Sequence, residues 1–364
     1  MQEWQTIPKN DDSRMENLQT QPRRNYRVFN NPAVITEAWY PVTPARKFFK
    51  KNSHSFKIGA QRFVLFRGED GLVRALDAFC PHMGADLSRG SVEGNSLRCY
   101  FHRWKFDAEG TLREIPCKTS LPFQLKIKNY PVEEKYGYLW VYSGESAPHP
   151  VPEPVGLEDF EVEGSFIFKT ELFVHHHVLM ASAIDLQHFA SVHGLDAQYN
   201  LEVQDTGTGV IRWSVRGLLA VEGGWRTRIA RAVLGASFQY DALFAGGSLI
   251  AMTYGLGQTW RGKKGGKSLP VFYALWGCVP LANGLSEAVV FVLQKKRRGP
   301  FSRVTSKFFF WMTLGLLAWL KDDDVQAFPR MRFQAKNLID QDASVAQLIR
   351  WTETLPRSAW SFEN

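Results

Sequence analysis

Between Trp39 and Gly144 the apolar residues fall in short runs. FVLF, LVRALDAF and GYLWVY are separated by glycine-bearing turns, which predicts strands. Glu145 to Pro154 holds four prolines in ten residues, which favours an extended connector. Beyond it the texture is mixed. Phe166–Val174 reads as a strand and Leu179–Val192 as a helix, and VIRWSVRGLLAV, VFYALWGCV and EAVVFVLQ read as further strands. Helical patterns close the chain, from Phe308 to Leu320 and from Val325 to Trp351. The start is polar with mixed charges and has no apolar stretch of the signal-peptide kind. The expected organisation is a polar extension (1–34), a small all-β domain (35–145), a proline-rich linker (146–155) and a larger domain with a sheet and helices (156–364).

Composition narrows the class. The chain has 364 residues, 45% apolar and 22% charged, as a globular protein does, so a disordered chain or a collagen-like fibre is excluded. Its net charge of +8 comes from scattered basic residues, with one dense run at Lys295-Lys296-Arg297-Arg298 and no nucleic-acid motif beside it. No nucleic-acid partner is expected; an acidic protein partner or an anionic membrane surface suits the charge. Four cysteines are too few for a secreted disulfide framework, so a reducing, cytoplasmic location is expected. Of these, Cys117 and Cys278 read as small apolar core residues. Thirteen residues from Phe308 to Leu320, FFFWMTLGLLAWL, would cover about 20 Å as a helix, against about 30 Å of bilayer hydrocarbon. A buried core helix is the favoured reading. Peripheral membrane contact through 295–320 is the sharper alternative.

The strongest chemical signal is Cys80-Pro81-His82, then, sixteen residues on, Cys99-Tyr100-Phe101-His102. Common zinc patterns group like ligands together, whereas here each loop offers one thiolate and one imidazole. A Rieske-type [2Fe–2S] cluster needs two cysteines on one iron and two histidines on the other, and two such loops can clasp it from opposite sides. A structural zinc is the minor alternative.

With its surroundings, DAFCPHMGADLSRG and LRCYFHRWKFDAEGTL, this pattern resembles the Rieske non-haem iron oxygenases. It is unlike the respiratory Rieske subunits, which carry an extra cysteine in each loop where this chain has residues such as Ala85 and Tyr100. The resemblance covers residues 35 to 355 and implies an α+β fold: an N-terminal all-β Rieske domain, then a catalytic domain with a twisted antiparallel sheet flanked by helices. It also implies a second metal centre. Asp185-x-x-His188-x-x-x-x-His193 matches the family's pattern, making His188 and His193 ligands of a mononuclear Fe(II) and Asp185 the acid that bridges to His82 or His102 of a neighbouring subunit. On a regular helix, residues five apart differ by about 140°, so a helix break between His188 and His193 is predicted, with Gly194 as terminator. The family's text selects Asp322 as the third ligand; Asp323 and Asp324 stay open. The family's usual Glu-Asn pair before the bridging acid is replaced by Ala181-Ser182. His175-His176-His177 lies at the end of a predicted strand, where alternation separates neighbours, and reads as packing or pocket residues.

The implied activity is that of a terminal oxygenase: electrons arrive through the cluster, and O2 is activated at the iron to oxidise a bulky apolar substrate such as a terpenoid, sterol, polyketide or aromatic compound. Oxidative cyclisation, desaturation or demethylation is the alternative outcome, and an electron carrier without mononuclear iron the rival class. The chain shows no dinucleotide fingerprint, so NAD(P)H would act only through a separate ferredoxin or flavin reductase. Arg103 and Lys105 are candidates for docking an acidic ferredoxin. Most of the many aromatics in the second half, Tyr254 and Trp276 among them, read as core. A head-to-tail homotrimer is implied, since the two centres of one chain lie too far apart for fast transfer.

Overall fold

The computed structural model describes residues 26–49, 53–157, 162–234, 236–256, 272–282, 284–296 and 331–362, with residues 304, 306–308, 310, 311, 314, 315, 324 and 328. The first half is built from short strands: β1 (Trp39–Pro44), β2 (Ser53–Ile58), β3 (Gln61–Arg67), β4 (Val73–Asp77), β5 (Ser91–Glu93), β6 (Ser96–Arg98), β7 (Lys105–Phe106), β8 (Leu112–Glu114), β9 (Asn129–Tyr130), β10 (Val132–Lys135) and β11 (Tyr138–Tyr142). They form three small antiparallel sheets, in the orders β1-β11-β10, β2-β3-β4-β9 and β5-β6-β7-β8. The last of these is a meander whose β6–β7 turn carries the second Cys/His loop, while the first lies between β4 and β5. The second half adds β12 (Val162–Glu171), α1 (His176–Ser182), α2 (Leu186–Ser191), β13 (Ala197–Asp205), β14 (Val210–Leu219), α3 (Trp225–Leu234), β15 (Ser237–Ala245), β16 (Leu249–Leu256), β17 (Phe272–Pro280), β18 (Ser286–Lys295) and α4 (Ala343–Thr354). Its strands make one seven-stranded antiparallel sheet in the order β12-β18-β17-β16-β15-β14-β13. The expected α+β class is what the chain adopts.

The large sheet is apolar on both faces in its middle. One face packs on α1, α2 and α4 through Trp213, Tyr240, Phe244, Ile250 and Leu348. The other packs on the β1-β11-β10 sheet through Trp140, Tyr138, Leu275 and Phe291. The two layers approach so closely at Gly277 that a Cβ there would lie 2.6 Å from Pro41 and 2.9 Å from Trp140, which is why glycine stands in the middle of β17.

Two packing exchanges cross the expected boundaries. Phe29, expected in the polar extension, is buried in the core of the second half, and the backbone N–H groups of Arg27, Val28 and Phe29 all donate to the Glu353 carboxylate on α4, at 2.9, 3.0 and 2.7 Å. Conversely Trp360, near the chain's end, is fully buried in the first half, stacked on Phe63 at 5.2 Å, with its carbonyl accepting from the Ala60 N–H. Polar text hid the first exchange, and a lone tryptophan in a short tail carries no periodicity that could reveal the second.

Candidate metal centres

The loop after β4 carries Cys80 and His82; the loop between β6 and β7 carries Cys99 and His102. Both loops are closed by backbone bonds: Gly84 N–H donates to Cys80 O and Cys80 N–H to Ala85 O, each at 2.8 Å, and Cys99 N–H donates to Trp104 O at 2.9 Å. Both thiols are buried and adjacent. Burial pushes the Cys80 thiol up to about 11, while the His82 and Met83 N–H groups facing it pull the other way. Both histidines are exposed, with ring centroids 4.5 Å apart, and His82 stacks on Trp104 at 4.3 Å and 11°. Two sulfurs inside and two imidazoles at the rim are the donor set a Rieske cluster takes. Exposed Phe79, Met83, Tyr100, Phe101 and Phe123 surround the rim.

Arg98 braces this end of the molecule. Its Nε donates to both oxygens of Glu93, its Nη1 and Nη2 to the two oxygens of Glu114, and Nη1 also to the carbonyl of Arg103 beside His102. Arg103, in a left-handed conformation, reaches Glu93 at 3.0 Å, and the Lys105 ammonium lies 3.9 Å from the same carboxylate. Both cations offered for ferredoxin docking thus lie beside Glu93. Cys117 departs from expectation: it is exposed, while Cys278 is buried in the large sheet.

In the second half the stretch read as one helix is two. Helix α1 ends at Ser182, and the turn after it is held by the Tyr240 hydroxyl donating to Ala183 O (2.7 Å) and the Ser344 hydroxyl donating to Ile184 O (2.9 Å). Asp185 then caps α2, its Oδ1 accepting from the N–H groups of Gln187 (2.9 Å) and His188 (3.3 Å). Helix α2 stops at Ser191, and Gly194 follows with φ +63°. The carbonyl of Gly194 accepts from Thr227 Oγ1. This break lets His188 and His193 turn toward each other. Their Nε2 atoms stand 3.0 Å apart, and Asp324 Oδ1 lies 3.0 Å from the first and 3.7 Å from the second. The three side chains are 10%, 4% and 20% exposed. Asp324 Oδ1 accepts no well-formed hydrogen bond among the described residues. Two imidazole Nε2 atoms and a carboxylate oxygen gathered at these distances suit a cation: ligands at about 2.1 Å and right angles lie roughly 3 Å apart. Asp322, the residue selected from the sequence, and Asp323 lie outside the described residues; the carboxylate found beside the two histidines is Asp324.

These donors form one wall of a cavity of about 940 Å³, including its open mouth. Leu172, Phe173, Leu179, Phe189, Ile250, Met252, Trp276 and Phe328 make it apolar, with Thr170, Glu171, Ser182 and Tyr254 as its polar points. No Lys or Arg is among the described lining residues. The Tyr254 hydroxyl donates to Met252 Sδ at 3.3 Å, and burial together with the nearby Asp324 charge holds it protonated. Among the aromatics of the second half, Tyr254 and Trp276 belong to the cavity wall; strand alternation shows which face a residue takes but not that the face is hollow.

His175, His176 and His177 also depart from expectation. They sit at the cap and first turn of α1 rather than on a strand, all are buried, and their ring centroids lie 4.3–4.5 Å apart. His175 Nδ1 accepts from the His177 N–H, and His177 Nδ1 from the Asn30 N–H. Each neutral ring then carries its proton on Nε2 and offers no lone pair there to a metal. The Asn31 and Gly247 carbonyls lie nearby, though neither Nε2 makes a well-formed bond. Burial lowers all three pKa values, that of His175 to about 3. Unfolding therefore takes up protons below the ordinary histidine pKa of about 6.5, and stability falls with pH by up to roughly 1.4 kcal/mol per unit for each histidine. Urea midpoints are expected to drop steeply between about pH 6.5 and pH 5. His175→Asn, which keeps a capping acceptor, should flatten that slope by about a third.

Residues 38–131 match the family described as Rieske [2Fe-2S] domain. The chain is 30% identical over 193 residues to a cholesterol 7-desaturase of Bombyx mori, an alignment spanning 51% of this chain but only 42% of that protein. It is 26% identical over 347 residues to a probable 3-ketosteroid-9-alpha-monooxygenase oxygenase component of Rhodococcus rhodochrous, covering 91% of this chain and 82% of the relative. Among solved structures, dicamba monooxygenase bound to dicamba superposes with a TM-score of 0.60 at 19% identity, over 90% of this chain and 98% of that one, a likeness of fold.

Proposed function

We propose that the chain is a terminal oxygenase component of the Rieske type, acting on a neutral, bulky, apolar substrate of roughly sterol size. The observation that carries the reading is the meeting of His188, His193 and Asp324 at the wall of an apolar cavity. Cys80, Cys99, His82 and His102 hold the [2Fe–2S] cluster, and His188, His193 and Asp324 hold a mononuclear Fe(II). When bound, these centres supply single electrons and O2 activation.

The chain's own residues do the rest. Leu179, Phe189, Ile250, Met252 and Trp276 exclude water and position a hydrocarbon skeleton against the metal wall. The lack of a described basic residue in the lining disfavours carboxylate and phosphate substrates. Thr170, Glu171 and Ser182 are left to orient a hydroxyl or carbonyl. Asp185 commits Oδ1 to the cap of α2, leaving its second oxygen to accept from His82 or His102 of a neighbouring copy, which docks through the exposed aromatic rim of its cluster end. A homotrimer closed head to tail satisfies every such contact. A separate ferredoxin or flavin reductase supplies the electrons from NAD(P)H.

The relatives' names divide between monooxygenase and desaturase, so the outcome at carbon is read from the product. With a surrogate reductase, oxygen uptake should rise on adding a sterol-like ketone or alcohol and stay at background with the corresponding carboxylate. Label from 18O2 should enter the product of a hydroxylation and be missing from that of a desaturation. Uptake indifferent to every lipophilic candidate would refute the reading.

A further inference from the structure

The run of apolar residues after β18 was expected to be core, and its described part is not simply that. Residues 304, 306–308, 310, 311, 314 and 315 are helical. Ser306 is buried and its carbonyl accepts from Gln294 Nε2 at 2.6 Å, while Phe310 packs edge-on against Phe166 of β12 at 6.0 Å. That is the inner side. Val304, Phe308 and Trp311 follow at intervals of four and three, so they share one face, and they are 69%, 62% and 69% exposed. Phe166 itself is 41% exposed beside them. Large side chains this exposed, in line along one helix face, form a surface that water does not favour.

The geometry points to a lipid bilayer surface as the occupant of this face. Three features select it over a second copy of the chain. The Gln294–Ser306 contact sets the end of β18, with Lys295 and Lys296, beside the helix, and exposed Lys307 lies next to Phe308, so cations flank the apolar face as an anionic headgroup layer requires. Tryptophan and phenylalanine are the side chains that settle at the boundary between headgroups and acyl chains. No helix among the described residues is long and apolar enough to cross a membrane, so the contact is an adsorption in the plane of the surface. The face is also linked to the cavity. Strand β12 runs from Phe166 at the patch to Thr170 and Glu171 in the cavity wall, about 13 Å away at strand rise. A substrate dissolved in the bilayer would then enter the cavity with little exposure to water. That delivery step rests on the function proposed above, whereas the adsorption does not.

The test is flotation of the cluster-loaded full-length protein with vesicles of phosphatidylcholine alone and of phosphatidylcholine mixed with phosphatidylglycerol. The protein should float with the anionic vesicles, and added salt should release part of it. The double variant Phe308→Ser/Trp311→Ser should weaken partition by about tenfold or more while leaving the thermal midpoint and the visible spectrum unchanged. Absence of flotation with either vesicle overturns the proposal. So does a double variant that floats like the parent, or one whose only change is a smaller assembly in sedimentation, which would assign the face to a second copy. Iron content and substrate-stimulated oxygen uptake, measured without vesicles on the same preparations, report on the oxygenase reading separately.

Discussion

Asp324→Ala is expected to lose the mononuclear iron and keep the cluster. Metal analysis should fall from about three irons per chain to about two, with acid-labile sulfide and the visible spectrum unchanged. Substrate-dependent oxygen uptake should drop at least about 100-fold, since even indirect partners of a metal site are worth 10- to 100-fold. The matching control is Asp322→Ala. Asp324 Oδ1 stands 3.0 Å from His188 Nε2. Among the described residues, Asp324 is the carboxylate that stands beside both histidines. Asp322→Ala should retain iron and most of its activity. Reversal of the two phenotypes would move the third ligand to Asp322.

Replacing Asp185 should separate two jobs that one carboxylate performs. As the cap of α2 it accepts from the N–H groups of Gln187 and His188, a role asparagine fills nearly as well. As the proposed bridge to a neighbouring copy's cluster histidine it must accept a hydrogen bond on its second oxygen and carry charge, which asparagine does not. Asp185→Asn should therefore keep iron, assembly and thermal midpoint close to the parent, yet slow reoxidation of the reduced cluster in a single turnover with substrate and O2 by about 10- to 100-fold. Asp185→Ala should add a loss of about 1 kcal/mol in stability and some iron, because His188 loses the cap that sets its helix. If Asp185→Asn reoxidises at the parental rate, the residue is a cap alone.

The cluster loops and the histidine pair were legible in the sequence because their chemistry is written in short, fixed spacings. Once the resemblance makes both His188 and His193 ligands of one metal, helix geometry requires a break between them, and α2 ends at Ser191. What escaped is what spacing does not encode. Three adjacent aspartates do not say which of them faces the two histidines. Strand alternation misassigned His175, His176 and His177, because the chain turns into α1 one residue after the strand-like text ends and gathers the three rings instead of separating them. Spacing also hides the pairing of Arg103 and Lys105 with Glu93, ten and twelve positions away, which the β5–β6 hairpin brings about.

The burial of Trp360 beneath Phe63 and Tyr130 bears on how the protein is made. On the ribosome, the half that carries the two Cys/His loops emerges first but cannot finish its core until Trp360 has been made. A fragment holding that half alone would expose a hole the size of an indole and should be soft or insoluble.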